Sequence, residues 1–231
     1  MAGRASQDRR AKRATVRVPL NRERVLRAGL ALADGGGLEA LTMRQLGEAV
    51  GVEAMSLYNH VANKEDLLDG LIDIVFGEIA LECEDGDWKS AMRRRAISAR
   101  EVLARHPWAV GLMESGTHPG PSTLRHHDSV LRCLREAGFS IAMAAHAYSA
   151  VDSYVYGFAL QQLSLPPDSA QETAKLVESI ARQFKPGEYR YLNEIATEHV
   201  MKPGYSYAAE FEFGLDLILD GLERAQQATG S

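Results

Sequence analysis

From Val25 onward the apolar positions recur at three- and four-residue spacing, the period of helices, and the chain reads as all-α. Asn21 is placed to cap a first helix that turns Val25, Leu26, Leu30 and Ala33 inward, reaches about Asp34 and stops at Gly35-Gly36-Gly37. Thr42 caps a second helix, with Gln45 three residues on, the spacing of a reciprocal capping box. Met43, Leu46, Ala49 and Val50 form its apolar face, and Gly51 ends it in a tight turn. A third, short helix from Ala54 to about His60 buries Leu57 and Val61. Asn63 then caps a long helix carrying Leu67, Leu68, Leu71, Ile72, Val75, Phe76 and Ile79. Continued to about Glu82 and broken at Gly86, that helix would span roughly 27 Å at about 1.5 Å per residue, long enough to serve as a lever.

The second half follows the same period. Asp87 caps a helix to about His106, before Pro107, and Trp108, Val110, Leu112 and Met113 make a short apolar segment that closes in a Pro/Gly loop. A helix from about Ser122 to Ala137 stops at Gly138. Ser140 opens another, to about Leu163, in which Asp152 is nearly the one charge. The last, from about Tyr207 to Gln226, spreads Phe211, Phe213, Leu215, Leu217, Ile218, Leu219 and Leu222 over more than one face. Helices apolar nearly all round must be covered on every side, which predicts pairing with a second copy as a four-helix bundle about a two-fold axis. Between these two, a helix from about Asp168 to Phe184 and a short one near Tyr191 to Met201, flanked by Pro166-Pro167 and Pro186-Gly187, read as a covering flap.

Two short helices bent across Gly51 have the shape of a helix-turn-helix, whose second member enters the major groove of DNA. The charge distribution agrees. The net charge of −5 by itself argues against nucleic acid, yet residues 1–64 carry eleven Lys/Arg against six acids, leaving a head of +5 on a body of −10. Residues 1–19, with six basic side chains and almost no large apolar ones, are expected to be an unpacked basic arm, either a solvated tail or a segment along phosphates. Residues 20–65 form the expected DNA-binding domain and 66–231 a helical effector-binding and dimerisation domain. With 45% apolar residues both can bury a core. Cys83 and Cys133 are too few for a disulfide framework. No leader-like apolar run and no membrane span is evident, so a reduced cytoplasm and no membrane partner are expected.

The residues of the bent pair carry a resemblance. L-T-M-R-Q-L-G-E-A-V-G-V from Leu41, S-L-Y-N-H-V from Ser56 and N-K-E-D-L-L from Asn63 resemble the signature of the TetR family of bacterial repressors. L-N-R-E-R-V-L near the start, G-F-S at Gly138 and F-E-F-G-L-D-L-I-L-D-G-L-E near the end resemble its tetracycline repressor subgroup. The resemblance implies a homodimeric, ligand-responsive repressor that binds a palindromic double-stranded operator and is released by a small molecule. It places Thr42, Arg44, Ala54, Met55, Ser56, Tyr58, Asn59, His60 and Lys64 on DNA-contacting positions. Arg44 has the reach for a guanine edge or a phosphate, while Thr42, Ser56, Tyr58 and Lys64 suit phosphate oxygens. Ala54, Met55 and Asn59 depart from the tetracycline repressor pattern, so a different operator is implied.

The tetracycline–magnesium site does not carry over. Its metal histidine falls on Glu114, the partner glutamate on Gln161, a pocket Asn on Arg95, a pocket Phe on Ala99 and an anchoring Gln on Val130, with only Thr117 kept. The effector is left open, and Arg95, Trp108, Met113, Glu114, Thr117, Val130, Tyr148 and Gln161 are its candidate contacts. Arg95 inside an apolar pocket would take either an anionic effector or an internal partner such as Glu114, with the internal pair favoured. Trp88, Trp108, Met113, Tyr148 and Tyr154 are either cavity lining or plain core. His118, His126, His127 and Asp128 are the one cluster of metal-ligand character. Adjacent His126 and His127 diverge by about 100° on a helix, however, so a solvated or inter-subunit face is expected rather than a site. The alternative reading is a small all-α metal-dependent enzyme built on His118, His126 and His127. No nucleophile elbow, zinc-protease motif or phosphate loop supports it, and neither a cofactor nor an enzyme is expected.

Overall fold

The computed structural model describes residues 19–80, 83, 87–113, 118–165, 170–182 and 187–229. In chain order the helices are α1 (Arg22–Ala40), α2 (Met43–Val50), α3 (Ala54–Leu57), α4 (Lys64–Glu78) and α5 (Trp88–Arg105), then a 3-10 segment (Pro107–Leu112). They continue with α6 (Pro121–Glu136), α7 (Ile141–Leu163), α8 (Ala170–Ala181), α9 (Arg190–Ile195) with a π turn (Ala196–Val200), and α10 (Tyr207–Thr229). The arm expected over residues 1–19 falls, apart from Pro19, outside the described residues.

Two apolar cores share α4. Val25 of α1, Leu46 and Val50 of α2, Leu57 of α3 and Val61 close on Leu67 and Leu71 of α4. Ile72, Val75, Phe76 and Ile79 enter the second core with α5, α6, α7 and α10. The 3.6-residue period makes this possible, since one helix presents successive turns to two layers. Leu30 and Trp108 touch both cores.

Several expected boundaries move. The span assigned to α1 is two helical stretches joined at a kink: the first runs through Gly35 and Gly36 and breaks at Gly37 (φ 69°, ψ −174°), the third glycine of the expected stop. Gly35 and Gly36 keep their backbone N–H and stay helical, and the positive φ of the break falls on Gly37, where no Cβ opposes it. α4 ends at Glu78, not near Glu82, because Ile79 turns extended (φ −76°, ψ 129°) and buries in the second core; at about 1.5 Å per residue the lever is nearer 22 Å. α3 is one turn of α-helix, with turns continuing to His60. α8 is the described part of the helix expected over 168–184, whose ends lie outside the described residues, and α9 with its π turn is the short helix expected near Tyr191 to Met201; Ala49, expected on the inner face of α2, is exposed.

The capping box of α2 forms in altered form. Thr42 Oγ1 accepts from Gln45 N at 3.2 Å, but Gln45 Oε1 accepts from the Thr42 hydroxyl at 2.7 Å rather than from its backbone N–H, which donates to Ala40 O. Cys83 and Cys133, which the sequence alone left as thiols, are joined as a disulfide. Fifty residues separate them, and Cys83 meets Cys133 of α6 beside Ala91, Met92 and Arg95 of α5.

Candidate nucleic-acid interface and effector core

The bend between α2 and α3 depends on two glycines. Gly51 caps α2 in the left-handed region (φ 76°), which side chains rarely adopt. A Cβ on Gly47 would lie 2.8 Å from Val52 O, so α2 can approach the turn this closely only without one. Leu57 anchors α3 at 0% exposure, and the rest of the turn faces out, with Met55 76% and Tyr58 46% exposed. Thr42, Arg44, Asn59 and Lys64 are also exposed, and Ala54, Ser56 and His60 are half-buried. All nine expected DNA-contacting residues thus have solvent-accessible surface on the α2–α3 unit or at the start of α4.

Residues outside the nine expected contacts hold this surface in place. Arg22 forms a forked pair with Asp66 (Nη2–Oδ1 2.6 Å, Nη1–Oδ2 2.9 Å) and its Nη1 also donates to His60 O at 2.9 Å. Asp66 Oδ2 further accepts from Ala62 N at 2.8 Å. The hydrogen bonds from Arg22 lower the Asp66 carboxyl below its ordinary range, and Asp66 raises the Arg22 guanidinium. Arg24 Nη2 reaches Val50 O at 3.1 Å. These pairings span up to 44 residues, so no local spacing in the sequence points to them.

The junction with the second core is polar. His106, 5% exposed, sits between two carboxylates, with Nδ1 at 2.7 Å from Asp34 Oδ1 and Nε2 at 3.3 Å from Glu78 Oε2. Trp108 Nε1 donates to the same Asp34 oxygen at 2.7 Å, and Arg105 Nη2 donates to Glu78 at 2.7 Å. Burial works to raise the Glu78 carboxyl, but hydrogen bonds from Arg105 and His106 leave it below its ordinary value. The ends of α1, α4 and α5 and the start of the 3-10 segment meet here.

Deeper in, Arg95 has an internal partner in Asp152 of α7; the other expected partner, Glu114, lies outside the described residues. Nη2 donates to Asp152 Oδ1 at 2.6 Å and Nε to His126 Nε2 at 2.9 Å, with all three residues at most 5% exposed. Burial first, then the charge of Arg95 and His127, pushes His126 down to about 3, so it stays neutral and accepts from Arg95. The expected solvated face holds for His118, whose side chain is 88% exposed 3.7 Å from Asp69, and for exposed Asp128, but not for His126, which points into the core against Phe76, while half-buried His127 meets Tyr148. Among the described residues, no group of three or more His, Cys, Asp or Glu is arranged to hold a metal.

The candidate effector contacts are dispersed. Arg95 and Val130 share a cleft of about 10 Å³, Met113 is buried, Trp108 faces Asp34, Tyr148 bonds His127, and exposed Gln161 accepts from Tyr207 at 2.9 Å. Glu114 and Thr117 lie outside the described residues. Among the aromatics, Trp88 packs edge-on against Phe139 as core, and Tyr154 stacks on Phe211.

The helical layout and the α2–α3 surface define a helix-turn-helix regulator, and the comparisons name its family. Residues 25–71 match the model of bacterial regulatory proteins of the tetR family, and residues 82–226 that of the tetracyclin repressor-like C-terminal domain. The chain belongs to the TetR family of DNA-binding transcriptional regulators. It is 31% identical over 215 residues to the HTH-type transcriptional repressor DrrR1 of Streptomyces coeruleorubidus, covering 88% of this chain and 77% of that one. It is 32% identical to the class C tetracycline repressor protein of Escherichia coli, covering 91% and 94%. The TetR family protein ActR of Streptomyces coelicolor, solved in complex with actinorhodin, superposes with a TM-score of 0.75 at 27% identity, over 90% of this chain and 99% of that one.

Proposed function

We propose that the chain is a ligand-responsive repressor, with residues 20–65 reading DNA and 66–231 binding effector and partner. A homodimer sets two α3 turns into successive major grooves of a palindromic operator, and a small molecule releases it. The carrying observation is the exposed row of Met55, Tyr58, Asn59 and Lys64 on a turn anchored by Leu57 and braced by Arg22 and Asp66. Tyr58, Lys64, Thr42 and Ser56 meet phosphates, and Arg44, Ala54, Met55, Asn59 and His60 lie toward base edges.

Dimerisation is supported by what one chain leaves uncovered. Ile141 (78% exposed) and Leu160 (61%) on α7, with Phe213 (67%) and Leu217 (56%) on α10, are large apolar side chains on the two helices expected to pair. No described helix is long and apolar enough to cross a membrane, which agrees with a cytoplasmic regulator.

Release requires the effector to bind the DNA-incompetent state more tightly, since equal affinity shifts nothing. The Asp34–His106–Glu78 junction supports a path: a shift of the 3-10 segment moves the ends of α1 and α4 together. A gel-shift series at low salt on duplex from the chain's own upstream region tests the core of the reading. Retardation at two-fold stoichiometry is expected; none at any concentration would sink it.

A further inference from the structure

Cys83 and Cys133 lie 5.9 Å apart at Cα, a separation a disulfide spans without rearrangement. Cys83 stands on the connector between α4 and α5, and Cys133 on α6, the helix that packs most extensively on α4. Ala80 N, at the start of that connector, donates to Ser98 Oγ of α5 at 3.0 Å. Cys133 is 1% exposed and Cys83 only partly covered, so one sulfur of the bond is within reach of a small reagent and the other is not. Both cysteines line one small cleft with Arg95. Arg95 spends Nε on His126 and Nη2 on Asp152, while Nη1 is buried with no hydrogen-bond partner. A buried guanidinium N–H without an acceptor, beside a cysteine pair, is a donor for a thiolate.

We propose that Cys83 and Cys133 form a reversible thiol–disulfide site, through which a low-molecular-weight thiol or disulfide sets how firmly the end of α4 is anchored on α6. In reduction, an external thiolate attacks Cys83 Sγ, the Cys83–Cys133 bond breaks, and Cys133 leaves as a thiolate facing Arg95. A second external thiolate then attacks the mixed disulfide, releasing Cys83 and an external disulfide, for two electrons in all. In oxidation the Cys83 thiolate attacks an external disulfide and expels one thiolate. Cys133 then attacks Cys83 Sγ and expels the second. Since α4 begins at Lys64 beside the DNA surface and ends next to this connector, the bond restrains the lever whose position the operator requires. That consequence rests on the regulator reading above; the chemistry does not.

The test uses the full-length chain, oxidised in excess glutathione disulfide or reduced in dithiothreitol, with thiols counted by alkylation and mass. Binding is read by anisotropy on a labelled duplex that the protein itself selects from a random pool. The oxidised protein should show no free thiol, and reduction should weaken binding about tenfold, within the usual range of coupling between sites. The Cys83→Ser/Cys133→Ser variant should keep the reduced value in both buffers. In Arg95→Gln/Asp152→Asn, which removes the buried pair together, dithiothreitol should act several-fold more slowly. Equal affinity in the two states, or two free thiols after glutathione disulfide, would overturn the proposal. If no duplex is recovered in either state, the regulator reading fails instead, and the thiol count still decides whether the pair cycles.

Discussion

Trp108 donates its indole N–H to Asp34 Oδ1 across 74 residues of sequence, at 2.7 Å, and so ties the segment after α5 to the helix that braces the DNA-reading unit. His106 takes the same oxygen. Replacing Asp34 by Ala leaves two buried or half-buried donors without an acceptor, which should cost about 1–3 kcal/mol. A lowered urea midpoint with a red-shifted Trp108 emission is the expected readout; an unchanged midpoint would mean the junction carries no stability.

The Arg95–Asp152 pair is buried on both sides, at 4% and 7% side-chain exposure. Removing one member strands a charge and should destabilise by about 3–5 kcal/mol, whereas replacing both by apolar groups should recover most of it. Asp152→Leu alone and Arg95→Met/Asp152→Leu, compared by denaturant unfolding, separate a stranded charge from a lost attraction. Equal losses in the two would contradict this account.

Acid should weaken the fold through His126. Its native value lies near 3, below the ordinary 6.5, so between these limits the unfolded chain binds a proton that the native chain does not. Stability therefore falls as pH drops from about 6.5 toward 3, with a contribution near 1.4 kcal/mol per pH unit from this group. His126→Asn, unable to take up that proton, should show a shallower acid slope than the parent over the same window.

Lys64, exposed at the first turn of α4, is assigned to a phosphate. Lys64→Ala should weaken binding on all sequences alike and reduce the salt slope by about one unit. Met55→Gln, by contrast, should alter which sequences are preferred while leaving that slope intact. A Lys64→Ala protein with an unchanged slope would remove the residue from the interface.

Leu217→Glu on α10 places a charge in the expected subunit contact at a position 56% exposed in one chain. The monomer fold should survive. Sedimentation should show the loss of the dimer, and operator affinity should fall with it, because a single head meets only one half-site. A Leu217→Glu dimer of unaltered mass would move the interface elsewhere.

What was legible in the sequence is what neighbours in the chain decide for themselves. The cap at Thr42, the turn at Gly51, the burial of Leu57 and the exposure of Tyr58 follow from side chains within one turn of one another. Asn63 as the cap of α4 and Ser140 as the cap of α7 follow in the same way. A helix end set by packing was not legible: Ile79 ends α4 early because the second core takes it.

By itself, then, the order of residues determined an all-helical chain with a bent reading element at its basic end, because capping, periodicity and glycine act over a few residues. Only the tertiary structure decided who meets whom at a distance. Arg95 takes Asp152, His126 turns inward instead of facing water, Cys83 finds Cys133, and Trp108 grips Asp34. Each of these pairs is formed where separate helices cross, and the angle and depth of a crossing are set by the whole packed layer, not by any stretch that contains either residue.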